Sequence, residues 1–199
     1  MTDDLPRNER LDRGKVERGV RLILEGIGED PEREGIVGTP RRVAEMFEEI
    51  FAGYGHDPSE VVTVIPGAGH DEMIMVRDIP LFGMCEHHVI PFLGRAYVAY
   101  IPNRDGRITG LSKVARLVDL LSKKLQVQER LTTEIADALE KALEPRGVFV
   151  LIEAEHLCMT MRGVKKPGSV TVTSAVRGVF RSDARTRAEA LELVRRGRP

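Results

Sequence analysis

The chain has 199 residues, 42% apolar and 31% charged, with a formal net charge of −1. That length holds a core of ordinary size as one domain, and that composition excludes a disordered chain and one that spans a bilayer. A near-zero net charge argues against bulk, non-specific nucleic-acid binding, so neither nucleic acid nor membrane is expected as a partner.

Residues 1–10, MTDDLPRNER, are polar and acidic with no apolar stretch of the kind a secretory signal needs. They read as a loose tail, and the protein as cytoplasmic. Two cysteines make no disulfide framework, which leaves metal binding or catalysis as the roles to weigh for them. Val16, Val20, Ile23, Leu24 and Ile27 recur at helical spacing, which predicts a helix over 11–27. In GTPRRVAEMFEEIFAGYG, Thr39 is expected as N-cap, Pro40 as the first helical residue and Gly53 near the helix end. Residues 54–71 mix Gly, Pro, His and Asp and predict a connecting loop, with His56 and His70 as solvated surface residues.

EMIMVRDIPLF and RAYVAYIP predict two strands. Two apolar stripes follow at helical spacing: Leu111, Val114, Ala115, Val118, Leu121 and Leu125, then Leu131, Ile135, Ala138, Leu139 and Ala142. GVFVLIEAEHLCM and SVTVTSAVRGVF predict two more strands, and a charged helix from about residue 183 ends the chain. The order β-β-α-α-β-β behind N-terminal helices is an α+β arrangement on an antiparallel four-stranded sheet. It is expected as a single domain overall, with an N-terminal tail and helix over 1–38 ahead of the main body over 39–199.

Between the first two strands, GMCEHHVIPF places a cysteine, a glutamate and two histidines in consecutive positions. Cys85 and His88 have the Cys-x-x-His spacing that lets one turn offer two ligands to one metal ion, and a zinc site needs at least one more. Cys158, in EAEHLCMTMRG, is the candidate. If the extended run persists, period two puts His156, Cys158 and Arg162 on one face, with His156 and Cys158 roughly 7 Å apart and Arg162 about 13 Å beyond. Three protein ligands plus water form an open, catalytic zinc site, and His87 and His156 would stand beside it able to move protons near neutral pH. The residues alone leave the plainer readings open: Cys158 as a small buried hydrophobe, His87 as a loop residue, His156 as a satisfied strand histidine.

Basic clusters point to an anionic ligand. In GLSKVARLV, Ser112, Lys113 and Arg116 fall on neighbouring parts of one helix face, and cations at a helix N-terminus oppose its dipole unless an anion binds there. Arg41 and Arg42 raise the same question, and Arg162 follows the second cysteine. Each taken singly also reads as a solvated surface charge. Gln128 and Glu129 open a helix, where Glu129 reads either as a first-turn acid favoured by the dipole or, with Gln128, as half of a pair matched to the donor–acceptor edge of a base.

MCEHHVIPFLG, VAYIPN, GLSKVARLVDLLSKKLQVQERLT and EAEHLCMTMRGV, in that order, resemble GTP cyclohydrolase I, and the resemblance runs from about Thr39 to the C-terminal helix. It implies the tunnelling fold, a homodecamer of two stacked pentamers with active sites shared between subunits, and Zn2+ held by Cys85, His88 and Cys158. His87 and His156 resemble the proton-shuttling histidines, Gln128 and Glu129 the guanine-recognising pair, and Ser112 the residue near the ribose. Lys113, Arg116 and Arg162, with Arg42, resemble triphosphate contacts. The implied activity is hydrolysis of the GTP imidazole ring at C8, giving formate and 7,8-dihydroneopterin triphosphate at the start of tetrahydrofolate and pterin biosynthesis. Gly83 departs from the pattern, where serine is expected in many members. Two rivals are a tunnelling-fold nitrile reductase of deazaguanine metabolism, which needs a nucleophilic cysteine and NADPH but no zinc, and a non-enzymatic module stabilised by a closed zinc site.

Overall fold

A computed structural model describes residues 11–66 and 69–196; the expected tail over 1–10 lies outside them. Asp12 opens α1 (Arg13–Gly26) by accepting the Lys15 N–H at 2.9 Å. The second helix, α2 (Thr39–Ile50), includes Thr39 as its first residue, with Gly38 as the flanking one. The expected N-cap role of Thr39 is therefore corrected: its hydroxyl faces the Arg42 guanidinium at 3.2 Å, not a backbone N–H. The two helices pack on each other, Arg13 pairs with the buried Glu48, and Phe47 meets Phe51 edge-on at 4.9 Å. Compact units divide between Gly55 and His56, so α2 groups with α1.

In the second unit the segment read as an irregular loop carries structure. Asp57 caps a 3-10 turn, Pro58–Glu60, and β1 (Val64–Pro66) pairs antiparallel with β4 (Arg107–Thr109). The main sheet is built from β2 (Ile74–Cys85), β3 (Ile90–Ile101), β6 (Gly147–His156) and β7 (Val170–Gly178), each antiparallel to the next. These are the four expected strands. A fifth, β5 (Leu125–Gln126), adds to the β2 edge in parallel, so Leu125 ends no helical stripe. Between β4 and β6 run α3 (Leu111–Ser122) and α4 (Gln128–Leu143), giving the β-β-α-α-β-β order.

Burial explains the layering. Val114, Leu117, Val118 and Leu121 of α3 and Leu131, Ile135, Leu139 and Leu143 of α4 close over Leu81, Phe92, Val98, Tyr100, Val150 and Ile152. Each such side chain contributes about 1.5–3 kcal/mol by leaving water. At one end the opposite sheet face is covered too: Phe180 of α6 (Val179–Ser182) and Ala190 and Val194 of α7 (Ala184–Arg195) pack on Tyr97, Ala99, Ile101, Phe149 and Leu151. With both faces covered there, β3 and β6 are buried without alternation over Ala96–Ile101 and Gly147–Ile152. The other end of the sheet, where β2 stops at Cys85 and β6 at His156, remains for chemistry.

Candidate functional site

Cys85 is the last residue of β2, and the chain reverses at once: Val89 N–H donates to Cys85 O at 2.9 Å, and β3 begins at Ile90. Val89 makes this turn with φ of 52°, a left-handed conformation that a β-branched residue rarely adopts. The result is a short arm with Cys85 buried and His87 and His88 exposed. His87 Nδ1 lies 3.9 Å from Cys85 Sγ.

The third member arrives by a route the period-two argument does not describe. The extended run ends at His156, and residues 157–160 form one helical turn, α5 (Leu157–Thr160). The Glu155 carboxylate accepts from the Thr160 hydroxyl at 3.2 Å and from Gly168 N–H at 3.0 Å, and Thr160 also donates to His156 O. These local bonds curl the chain, so Cys158 and Arg162 do not continue along a strand face. Arg162, expected well beyond the cysteine, instead brings Nη1 to 3.3 Å from His88 Nε2. The ligand atoms of Cys85, His88 and Cys158 lie within 4.8 Å of one another. Burial pushes the Cys158 thiol up, and the neighbouring Cys85 adds to it; two thiols this close gain by sharing a cation. Two sulfurs and an imidazole nitrogen at this separation fit a metal ion.

His156 is held from two sides. Its ring stacks on Phe92, its register partner across β3 and β6, with centroids 4.8 Å apart and planes 12° from parallel. Its Nε2 is 2.7 Å from Gln128 Oε1. The Gln128 amide nitrogen meets Ile152 O at 3.1 Å, Thr171 O at 3.0 Å and the Thr173 hydroxyl at 3.1 Å. Two of those are carbonyls, which only accept, so the amide oxygen is the atom that faces the imidazole and His156 Nε2 carries the proton. Nδ1 is left as the basic nitrogen. Burial lowers the pKa of His156, and the nearby Glu129 carboxylate opposes that shift.

The base-reading pair divides here. Gln128 is 1% exposed with its side chain taken up internally, an arrangement that does not favour pairing with a base; Glu129, next to it in the first turn of α4, is exposed. Ser112, Lys113 and Arg116 occupy the first turns of α3, a separate element that packs on β2. Arg42 lies in the N-terminal unit, donating to Gly35 O at 2.9 Å. Within one chain the structure thus gathers Cys85, His87, His88, His156, Cys158 and Arg162, with Gln128 and Glu129 at their side. Phe92 and Thr173 had no sequence signal; only the cross-strand register reveals them.

An α+β protein in which a Cys-His-Cys cluster that could hold a metal ion sits among further imidazoles, at the open end of an antiparallel sheet, has the arrangement of a metal-dependent enzyme. Residues 16–195 match the family described as GTP cyclohydrolase I. GTP cyclohydrolase 1 of Caldanaerobacter subterraneus subsp. tengcongensis is 61% identical over 184 residues, covering 92% of this chain and 97% of that protein. GTP cyclohydrolase 1 of Thermobifida fusca is 60% identical over 184 residues (92% and 89%), and that of Mycobacterium tuberculosis 59% over 186 residues (94% and 92%). A solved structure of an archaeosine synthase QueF-Like protein in the apo form aligns with a TM-score of 0.44 and 16% identity, covering 53% of this chain and 93% of that one. The chain belongs to the GTP cyclohydrolase I family, a family of enzymes, and carries its site on an α+β fold with an antiparallel β-β-α-α-β-β sheet.

Proposed function

We propose that the chain hydrolyses the imidazole ring of GTP at C8, releasing formate and forming 7,8-dihydroneopterin triphosphate, the first step of tetrahydrofolate and pterin biosynthesis. The observation that carries this reading is the convergence of Cys85, His88 and Cys158 within 4.8 Å, beside His87 and His156. We assign the ion as zinc, because two thiolates and one imidazole are donors it favours and leave a fourth position for water. Zinc in that place supplies Lewis acidity that lowers the pKa of bound water to about 7.

The chain's own residues do the rest. His87 delivers a proton to N7 of guanine, which makes C8 electrophilic; water adds there, and hydrolysis of the C8–N9 and C8–N7 bonds frees C8 as formate. His156, held with Nε2–H toward Gln128, presents Nδ1 for proton transfer as the ribose opens, ahead of the rearrangement that closes the six-membered ring. Glu129 accepts guanine N–H groups, and Gln128 serves by orienting His156. Ser112 lies near the ribose, and Lys113, Arg116 and Arg162, with Arg42, bind the triphosphate. Ser112, Lys113 and Arg116 stand on α3, and we propose that the sites are completed across subunits in a decamer of two pentamers. The edge of β7, free among the described residues, supports the same reading, since strand pairing across subunits would cover it. We place the enzyme in the cytoplasm; among the described residues no helix is long and apolar enough to cross a membrane.

Incubating the zinc-loaded protein with GTP tests the proposal. Formate and 7,8-dihydroneopterin triphosphate, the latter read as fluorescent neopterin after oxidation with added iodine, are expected in equal amounts. Their absence, or nicotinamide-dependent reduction of a deazaguanine nitrile, overturns it.

A further inference from the structure

Glu86 stands inside the metal-binding arm, yet the proposed reaction gives it no task. Its N–H donates to Gln126 O at 3.0 Å, beside the parallel pairs Met84↔Leu125 and Cys85↔Gln126. Its carboxylate takes the Arg130 guanidinium. Arg130 is fixed in turn: Nε donates to Gln126 Oε1 at 2.9 Å, and Nη2 to Leu125 O at 3.2 Å. Gln126 is 1% exposed, and its Nε2 donates to Leu121 O at 3.1 Å and Glu134 Oε2 at 2.8 Å, which turns its oxygen toward Arg130. A planar guanidinium with several fixed acceptors sets orientation as well as distance, which an ammonium would not.

The arm needs such a hold. Val89 closes the turn in a left-handed conformation, and such backbone strain persists only where the surroundings over-determine it. Side-chain exposures of 43% for Arg130 and 33% for Glu86 rule out a large share in global stability, so the effect of the pair is on local geometry. Arg130 also follows Gln128 and Glu129 in the first turn of α4, so one contact ties the ligand arm to the amide that holds His156 and to the carboxylate assigned to the base.

We propose that Arg130 and Glu86 are a positioning pair that clamps the Cys85–His88 arm to α4 and sets its separation from Cys158. The consequence for metal binding rests on the zinc reading above; the consequence for the Cys85–Cys158 separation does not. The test uses the full chain with Arg130→Met, Glu86→Gln, both together, and the swapped pair Glu86→Arg/Arg130→Glu. One readout is zinc and cobalt affinity by chelator competition, with the visible cobalt band as the signature of tetrahedral thiolate ligation. The other is the metal-free protein equilibrated with glutathione. There, two protein thiols and one oxidised glutathione give one Cys85–Cys158 disulfide and two reduced glutathiones, so the equilibrium reports the effective concentration of one thiol at the other.

Each single variant is expected to weaken metal binding about tenfold, the scale of losses when groups supporting a metal site are removed. The effective concentration should fall comparably. The double variant should be no worse than either single one, as expected of partners in one contact, and the swapped pair should recover part of the loss. Variants equal to wild type in the glutathione equilibrium, or single effects that simply add, overturn the clamp. If wild type binds neither metal while the variants still shift the glutathione equilibrium, the zinc reading falls and the clamp stands.

Discussion

Gly83 and Phe92 are register partners on β2 and β3, and a Cβ on Gly83 would lie 2.3 Å from Phe92 Cζ. The missing side chain is the space the ring occupies, and from there Phe92 stacks on His156. Serine, which many members of the family are expected to carry at this position, cannot enter without moving the ring. Gly83→Ser should therefore destabilise the protein by about 1–3 kcal/mol through overpacking. It should also lower kcat through loss of the stack, with zinc content unchanged. Denaturant unfolding and steady-state kinetics on the same preparations check it; wild-type values in both would show that the ring has somewhere else to go at no cost.

Glu129→Gln replaces half of an acceptor with a donor. Sites that hydrogen-bond a substrate's polar edge discriminate strongly because unmatched groups are left unpaired. GTP turnover should fall by orders of magnitude while zinc content and assembly persist. Retained turnover would remove Glu129 from base recognition.

Arg162 and His87 should separate binding from chemistry. Arg162→Ala should chiefly weaken GTP binding, by about 1.5–3 kcal/mol for a lost charge-assisted contact. Its guanidinium already lies 3.3 Å from the imidazole of His88, a proposed ligand, so metal affinity should be measured alongside. His87→Ala should leave binding largely intact and suppress turnover. Calorimetry showing the same binding defect in both would sink this division of labour.

Cys85 and Cys158 are free cysteines whose sulfurs lie within 4.8 Å. Chelation in air should inactivate the enzyme in two stages: metal loss that zinc alone reverses, then oxidation that needs a reductant as well. Thiols titrated in denaturant should fall from two per chain toward zero, without disulfide-linked dimers on a non-reducing gel. Irreversible loss with both thiols still free would argue that the cysteines share no metal.

The element order was legible because periodicity survives in a single sequence. Val114, Val118 and Leu121 on α3 and Leu131, Ile135 and Leu139 on α4 face the core as their spacing predicts, while Leu111 is exposed, and Cys-x-x-His marks the candidate ligand arm from spacing alone. Its partner, Cys158, was legible as a candidate, but its route was not. The period-two argument assumed an extended chain, and the bonds from Thr160 and Gly168 to Glu155 bend it into a helical turn instead. Gln128 reads equally well as a base-pairing amide or an internal one, and only the carbonyls of Ile152 and Thr171, far away in sequence, turn its oxygen to His156. The two residues of β5 are too few for any periodic signal, yet they bring Arg130 to Glu86. Local sequence determines what forms locally. Which donors and acceptors those elements turn toward one another depends on partners dozens of residues apart, and only the tertiary structure decides it.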